Sequence, residues 1–382
     1  MKASLFKGLV LLVLSLPIAI SSIAQKDRAD SALQAILRQR KVAGLSVAVV
    51  RHNQLVYTNS VGYKNLEAQT PLTDDCIFRI ASISKSFSAT AIMQLVEKGR
   101  LSLDDDLSKL VGFTVRNPKY PDVVITLRHA LSHRSSINDS QGYFTLDAIN
   151  PAKNPNWAKC YNDYAPGNGY QYCNLNFNMV GTIIEKFSGE RFDQYVKHHI
   201  LDPLGLYGGY CVDSLDASRF ATIYEYRVDS ARFIPSPGAY APRREEIANY
   251  VMGYSTPVFS PTGGMKISAP DLARYMMMHM NWGKGNGKRI MKKKSSVLMQ
   301  TPLSADEEYG LALHKANNLV PGVELVGHTG SAYGLFSAMF FDPKKKSGIV
   351  VISNGCDPTY AEGYNAVIRE AVNALYQSLL AE

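Results

Sequence analysis

The sequence predicts an α+β fold in which an antiparallel β-sheet is flanked by N- and C-terminal helices and carries an inserted all-helical lobe. Strand-like runs occur near both ends of the chain, an amphipathic helix lies outside each of them, and helical patterns with Pro/Gly/Asn/Tyr-rich connections fill the middle. The chain has 382 residues, of which 46% are hydrophobic and 19% are charged. This composition is typical of a globular protein with a large core.

The N-terminal elements are a helix and a β-hairpin. Residues 27–40 place apolar side chains at helical spacing among charged ones, and Gly44 follows as a stop signal. The runs Leu45–Val50 and Leu55–Val61 then have strand character, with a short polar connection between them. We expect these two runs to pair as a hairpin.

The C-terminal elements are strands followed by a helix. Strand-like runs occur at Glu324–Gly327, Leu335–Phe341 and Ile349–Ser353, and an amphipathic helix is predicted over Ala361–Leu380. The simplest assembly places the first and last strands in one antiparallel sheet and covers that sheet with the two terminal helices.

Residues 1–24 have the features of a secretory signal peptide. Lys2 and Lys7 supply positive charge, Gly8–Ile20 is an apolar run, and Ser22–Ala24 has the small residues of a cleavage site. The run is short for a bilayer, which takes about 20 residues, and an uncleaved anchor is the alternative. We therefore expect an exported protein, periplasmic or secreted, with no membrane span after cleavage.

The remaining chain, residues 25–382, is predicted to form one domain with two lobes. The sheet lobe comprises about 27–80 and about 275–382, and the helical lobe comprises about 81–274. Binding sites tend to form in clefts between such lobes. We expect a monomer that acts on a small-molecule or peptide substrate.

The charge and cysteine content argue against a nucleic-acid-binding protein and against a scaffold held together by disulfides. The 41 Lys and Arg residues exceed the 33 Asp and Glu residues only moderately, so nucleic acid is not an expected partner. The five cysteines are too few, and odd in number, for a disulfide framework, although one bridge between Cys160 and Cys173 is conceivable. The sequence has no His-Glu-x-x-His, paired Cys-x-x-Cys or Gly-x-Ser-x-Gly motif, so we predict no metal site and no cofactor.

The segment Arg79–Phe87 contains the first candidate catalytic residues, Ser82 and Lys85. It opens a predicted helix, on which residues three apart share a face. A serine hydroxyl is a poor nucleophile until a neighbour takes its proton or a cation stabilises its alkoxide, and an adjacent ammonium at a helix N-terminus does the second. Because Ser-x-x-Lys alone is common in helices, the interpretation needs further motifs.

Two further motifs follow along the chain. Tyr172-Cys173-Asn174 is a Tyr-x-Asn element at the start of a predicted helix, and Gly327–Ser331 stands at a predicted strand end. Small residues at such a position let the backbone approach a bound group. The segment from 143 to 172 is rich in aromatic residues, which either pack the helical lobe or wall a substrate pocket.

With Ser-x-x-Lys, Tyr-x-Asn and His-Thr-Gly in this order, the sequence resembles the serine β-lactamase and penicillin-binding-protein family, in particular the branch of class C β-lactamases, DD-peptidases, D-aminopeptidases and esterases. Ile125–His133 and Thr262–Ala273 also match, and the resemblance covers about residues 30–380. It implies a β-lactamase/transpeptidase-like fold and an exported serine hydrolase that acts on an amide or ester through an acyl-enzyme. A D-amino peptide, an ester or a cell-wall-derived peptide would be its substrate.

The resemblance also implies catalytic roles. Ser82 would be the acylated nucleophile, Lys85 its immediate partner and Tyr172 the general base. A phenol with a pKa near 10 is rarely ionised at pH 7, so Lys85 or His328 must assist Tyr172.

The same resemblance implies a set of substrate-binding residues. Asn174 would hold the acyl side chain and the lysine, and the backbone N–H groups of Ser82 and Ser331 would form the oxyanion hole. The strand beside the substrate would contribute His328, Thr329 and Gly330.

Three positions depart from the family pattern. His328 replaces the lysine usual in β-lactamases, and because its reference pKa is near 6.5 we expect it to bind a substrate carboxylate only when protonated. This favours a peptidase or esterase, with a true class C-type β-lactamase or a non-turnover penicillin-binding sensor or binding protein as the alternatives. Cys173 replaces a serine and is predicted to be buried, and His133–Ile137 has serine where relatives often have glycine.

Overall fold

The computed structural model describes residues 23–304 and 308–381. The predicted signal peptide lies outside these residues, apart from positions 23 and 24. Those two positions already belong to the first helix, α1, which covers residues 23–39. None of the helices within the described ranges combines the length and apolar character needed to cross a membrane.

Strands and helices are interspersed along the chain. The strands are β1 (Val42–Arg51), β2 (Gln54–Asn65), β3 (Thr70–Pro71), β4 (Phe78–Arg79), β5 (Gly208–Gly209), β6 (Tyr224–Arg227), β7 (Arg232–Pro235), β8 (Lys266–Ile267), β9 (Lys284–Gly285), β10 (Lys288–Arg289), β11 (His314–Val320), β12 (Val323–Ala332), β13 (Leu335–Asp342), β14 (Ser347–Cys356), β15 (Tyr360–Ala361) and β16 (Tyr364–Asn365). After α1, the helices are α2 (Ser84–Glu97), α3 (Leu107–Val111), α4 (Leu127–Leu131), α5 (Asn174–Ser188), α6 (Phe192–Val196), α7 (Asp202–Leu204), α8 (Arg244–Ala248), α9 (Ala269–Met280), α10 (Lys293–Gln300) and α11 (Ala366–Leu379).

A seven-stranded antiparallel sheet lies at the centre of the molecule. Its strand order is β11-β12-β13-β14-β1-β2-β3, so the first strand pairs with the last long one. In this pairing Val47 of β1 lies opposite Val351 of β14. The predicted α+β architecture is therefore confirmed.

Different helices cover the two faces of this sheet. Side chains alternate along a strand, so Leu45 and Val47 of β1 point to one face and Ala48 and Val50 to the other. The first pair belongs to a buried cluster with α1 and α11, and the second pair packs in the core shared by α9 and the inserted lobe. Because both faces are covered, β1 and β14 are buried almost throughout.

The inserted lobe contains α2 to α8 together with short strands that the sequence did not predict. Strands β4, β5 and β8 form a small three-stranded sheet, and β6 and β7 form a hairpin. Helix α9 spans the predicted lobe boundary at 274, and it packs against the central sheet along its length.

Three element boundaries differ from those predicted. Gly44 lies inside β1 and does not terminate the first helix, and the last helix begins at Ala366, after the β15–β16 hairpin. Strand β12 continues to Ala332, so the Gly327–Ser331 motif lies within a strand and not at its end. Pairing with β13, where Thr329 lies opposite Ala338, extends β12 through residues of low intrinsic strand propensity.

Candidate active site

Ser82 lies on a tight turn between β4 and α2. The turn is a 3-10 helix over Ala81–Ile83, and Ala81 has a φ of +48°, in the left-handed region. Ala81 and Ile83 are buried, whereas Ser82 is partly exposed. The strained turn therefore presents the Ser82 hydroxyl to solvent at the N-terminal end of α2.

Strand β12 passes directly beside this turn. A Cβ added at Gly330 would overlap the Ile80 carbonyl oxygen and the Ser337 hydroxyl, so only glycine permits the approach. The Ser337 hydroxyl donates to the Ile80 carbonyl at 3.1 Å and fixes the neighbouring strand to the same turn. This contact explains why Ser331, one residue after Gly330, lines the same cavity as Ser82.

Lys85 is fully buried and points back towards Ser82, as its spacing predicts. Its Nζ lies 3.2 Å from Ser82 Oγ, 2.9 Å from Asn174 Oδ1 and 3.0 Å from the Thr262 carbonyl oxygen. Burial lowers the pKa of Lys85 to about 7, against the opposing effect of the Asp139 carboxylate. A substantial neutral fraction of this amine is therefore present at neutral pH.

Asn174 begins helix α5, and Asp139 fixes its orientation. The Asp139 carboxylate accepts from the backbone N–H groups of Asn174 and Leu175, at 2.8 and 3.0 Å, and from Asn174 Nδ2 at 3.0 Å. Because a carboxylate only accepts, Nδ2 must face Asp139, which leaves Oδ1 to face Lys85 and the Thr262 hydroxyl, 2.7 Å away. Asp139 thus caps α5 and orients the Asn174 amide.

Tyr172 lies in the extended segment just before α5, with its ring 4.7 Å from Lys85 Nζ. Its buried hydroxyl has no hydrogen-bond partner of normal geometry in the described part of the chain. Burial raises the pKa of Tyr172, and the nearby Ser82 hydroxyl only partly opposes the rise. His133 holds the segment in place, since its Nδ1 accepts from the Cys173 N–H at 3.1 Å and its ring packs on that of Tyr172.

His328 is buried in β12, and both of its ring nitrogens are hydrogen-bonded. Nδ1 lies 2.5 Å from the Thr329 carbonyl oxygen, so it carries the proton, and Nε2 accepts from the Tyr309 hydroxyl at 3.0 Å. Burial lowers the pKa of His328 well below its usual value, and the neighbouring His314 and Lys85 lower it further. The expectation that His328 becomes charged near pH 6.5 is therefore wrong.

These elements enclose a cavity of about 550 Å³ between the lobes. All the predicted site residues except Lys85 and Gly330 line it. Lys85 lies beneath the cavity floor and contacts Ser82, and Gly330 packs against the turn. Of the aromatic segment, Tyr143, Phe144 and Tyr172 line the cavity, and the remaining lining residues are Arg79, Ala81, Ser260, Thr262, Gly263, Ala332 and Tyr333.

Residues that sequence reasoning missed hold the predicted ones in place. Asp139, Thr262 and His133 contact Asn174, Lys85 or the Tyr172 segment, and Arg79 and Tyr333 line the cavity itself. Each of the first three lies close to or inside a matched segment, but no local pattern marks it as functional. These residues are identified only by their contacts with residues far away in the chain, and a single sequence does not record such contacts.

The structure shows the surroundings of Cys160, Cys173 and Ser136, three residues of interest from the sequence. Cys160 and Cys173 are free and buried; Cys160 Sγ donates to a carbonyl oxygen and Cys173 Sγ to Asp139 at 3.2 Å, so the conceivable bridge is not formed. Ser136, one of the two serines in the segment His133–Ile137, has a φ of +61°, the region that glycine favours. Its hydroxyl accepts from Asn117 Nδ2 at 3.0 Å, which helps to hold this conformation.

A family model described as Beta-lactamase matches residues 29–373 of the chain. Protein flp from Staphylococcus aureus (strain MW2) is 23% identical over 348 residues, which are 86% of this chain and 63% of flp. Esterase EstB from Burkholderia gladioli is 28% identical over 217 residues, which are 52% of this chain and 54% of EstB. The chain therefore spans less than two thirds of the length of these curated relatives.

Solved structures show the same fold. The octameric penicillin-binding protein homologue from Pyrococcus abyssi superposes with a TM-score of 0.71 at 29% identity, covering 92% of this chain and 76% of that one. EstCE1, a hydrolase with promiscuous acyltransferase activity, gives 0.73 at 22% identity, covering 93% and 100%. D-amino acid amidase from Ochrobactrum anthropi SV3 gives 0.71 at 21% identity, covering 93% and 98%.

Proposed function

This chain belongs to the Beta-lactamase family, and on that premise we propose that it is a serine hydrolase that cleaves esters or amides through an acyl-enzyme on Ser82. The observation that carries the proposal is the environment of Lys85. Two of its three polar contacts, Asn174 Oδ1 and the Thr262 carbonyl, can only accept hydrogen bonds, and the third is the Ser82 hydroxyl.

A neutral amine satisfies these three contacts completely. As an ammonium, Lys85 donates to both carbonyl oxygens and to Ser82 Oγ; as a neutral amine it still donates to the two carbonyl oxygens, and its lone pair is then free to accept the Ser82 hydroxyl proton. With the pKa of Lys85 lowered to about 7, this form is abundant at neutral pH. Lys85 is therefore the base of the proposed mechanism.

In the first half-reaction Ser82 Oγ attacks the substrate carbonyl carbon as its proton moves to Lys85. The negative oxygen of the tetrahedral intermediate accepts from the backbone N–H groups of Ser82 and Ser331. When the bond to the leaving group breaks, the proton on Lys85 passes to the leaving oxygen or nitrogen. Water then attacks the acyl carbon as Lys85 takes one of its protons, the bond to Ser82 Oγ breaks, and the proton returns from Lys85 to Oγ as the acid is released.

Tyr172 has a different role here from the one that the family resemblance implies. Because burial raises its pKa, the hydroxyl stays protonated and is a poor base. Within residues 23–304 and 308–381 the hydroxyl has no hydrogen-bond partner of normal geometry, although Ser82 is nearby, and the ring contacts Lys85 and lines the cavity. We assign it to relay the proton from Lys85 to the leaving group, which places the leaving group on the Tyr172 side.

The substrate is proposed to be an ester or peptide amide of moderate size. The named relatives include an esterase, and one solved neighbour is a D-amino acid amidase. The neutral His328 supplies no fixed charge at the position of the β-lactamase lysine, which favours an ester or amide over a β-lactam. Export, a periplasmic or secreted location and a monomeric state remain predictions from the sequence.

The proposal is tested with purified protein, a fluorophosphonate probe and 4-nitrophenyl acetate. Wild type should be labelled once per chain and release nitrophenol continuously, whereas Ser82→Ala should lose both activities and Ser230→Ala, which alters an exposed serine, should keep both. Labelling of Ser82→Ala at wild-type stoichiometry would place the nucleophile elsewhere. A single stoichiometric burst without turnover would instead indicate an acylation-trapped binding protein.

A further inference from the structure

Arg79 is a partly buried cation held by the loop that precedes β8. Its Nε donates to the Gly263 carbonyl at 2.8 Å, and its Nη2 donates to the Ser260 hydroxyl at 3.2 Å. The guanidinium carbon lies 5.0 Å from the ring centroid of Tyr333, so the group stacks on that ring. These contacts fix the guanidinium in one position.

The Arg79 guanidinium lacks an anionic partner in the described ranges, where no carboxylate lies within ion-pair distance. Two of its five N–H donors are used by the contacts above, which leaves three without a protein acceptor there. The charged side chain with the clearest influence on it is another cation, Arg243. These donors are left for solvent in the cavity or for an anionic group of a ligand.

The unpaired donors are available to the substrate cavity. Arg79 lines that cavity together with Ser82, and Tyr143 and Tyr333 form the wall beside it. Tyr172 and His328 lie close to each other, with ring centroids 6.2 Å apart, whereas the aromatic side chains around Arg79 are Tyr333, Tyr240 and Tyr143. We therefore place the leaving group near Tyr172 and the acyl part of the substrate near Arg79.

We propose that Arg79 binds a carboxylate on the acyl part of the substrate, so that the preferred substrates are esters or amides of acids that carry a second, ionised carboxyl group. The inference rests on the proposed hydrolase function and adds a substrate class to it. Arginine suits this task because its planar fork matches a carboxylate in two hydrogen bonds. The stacked Tyr333 ring keeps the fork in place while leaving its edge free.

The experiment compares two esters that differ only in charge. Mono-4-nitrophenyl adipate carries a free carboxylate, and its methyl ester is neutral and similar in shape. Corrected for spontaneous hydrolysis, wild type should have a kcat/KM about tenfold to 100-fold higher for the acid, the range of a charge-assisted hydrogen-bonded pair. Because arginine stays protonated, this ratio should be constant between about pH 6 and about pH 8.5.

Substitution of Arg79 should remove this preference. In Arg79→Gln the acid-to-neutral ratio should fall to about one or below, and Arg79→Lys should keep part of it. Arg40→Gln is the matched control, since Arg40 is paired with Glu370 and does not line the cavity, and it should keep the wild-type ratio. An unchanged ratio in Arg79→Gln, or a wild-type ratio of one, would overturn the proposal.

One further measurement uses wild type alone and so does not depend on folded variants. A second distinguishes failure of the Arg79 proposal from failure of the hydrolase proposal. With wild type alone, monomethyl adipate should inhibit turnover of the neutral ester competitively and dimethyl adipate should not; equal inhibition by both would overturn carboxylate binding. If hydrolysis of the neutral ester depends on Ser82 but no acid preference exists, only the role of Arg79 fails. If hydrolysis does not depend on Ser82, the hydrolase proposal itself fails.

Discussion

Lys85 and Tyr172 are both buried, but burial has opposite consequences for their use as bases. It lowers the pKa of Lys85 to about 7 and so increases the neutral amine, whereas it raises the pKa of Tyr172 and so removes the phenolate. A base must be unprotonated to act. Of these two neighbours of Ser82, the lysine therefore meets that requirement at neutral pH.

The pH dependence of acylation should identify the base. We expect kcat/KM for a neutral ester to rise about tenfold per pH unit below an inflection near 7 and to level off above it, as Lys85 loses its proton. Tyr172→Phe should lower the rate about tenfold to 100-fold and keep this inflection, because the titrating group remains. A wild-type inflection near 10 that Tyr172→Phe abolishes would identify Tyr172 as the base.

Asp139 is a positioning residue whose removal should change both rate and titration. Its negative charge raises the pKa of Lys85, so Asp139→Asn should move the kcat/KM inflection to lower pH. The variant should also lose about 1–3 kcal/mol of stability, because an amide N–H would face N–H donors at the start of α5. Asp229→Asn, on the exposed surface, should change neither quantity. A lower rate with an unmoved inflection would limit Asp139 to a structural role.

At the scale of elements, the site depends on the contact between β12 and the turn before α2. Gly330→Ala places a methyl group against the Ile80 carbonyl and should separate the strand from Ser82. We expect kcat/KM to fall by at least about 100-fold, since displacement of catalytic groups by about 1 Å has effects of this size. Gly209→Ala is the control, because its Cβ would lie an ordinary 3.8 Å from Leu215. Equal activity in the two variants would show that the close approach is not required.

At the scale of the whole molecule, the central sheet separates the packing of the terminal helices from the candidate active site. The terminal helices α1 and α11 pack on one face, and α9 and the inserted lobe, with the proposed catalytic residues, lie on the other. Side chains in the first cluster can therefore lose packing without moving the site.

Leu33 in α1 tests this separation. Leu33→Ala empties a fully buried position and should lower the free energy of unfolding by about 2–5 kcal/mol, measured by urea denaturation. The folded variant should keep the wild-type kcat/KM and its pH inflection. Gln34→Ala, at an exposed neighbouring position, should change neither stability nor rate. A change in kcat/KM for folded Leu33→Ala would show that the two faces are coupled.

Local spacing in the sequence was enough to predict most of the long strands, the terminal helices and the Ser82–Lys85 pair, but not the short strands of the inserted lobe. The helical spacing of Ser82 and Lys85 brings them to 3.2 Å, Asn174 begins a helix, and the first and last strands pair in one sheet. Such features depend on residues near one another in the chain or on alternating patterns, which a single sequence records.

Only the tertiary structure determines the charge states of the site residues and the contacts that hold their side chains in place. Asn174 is oriented by Asp139, which lies 35 residues earlier, and Arg79 is held by Gly263, 184 residues later. Burial, which depends on the whole assembly, lowers the pKa values of Lys85 and His328 and raises that of Tyr172, and the proposal that Lys85 is the base rests on these directions. A sequence lists the ionisable groups, but the surrounding solvent, charges and hydrogen-bond partners determine their charge, and these exist only once the chain has folded.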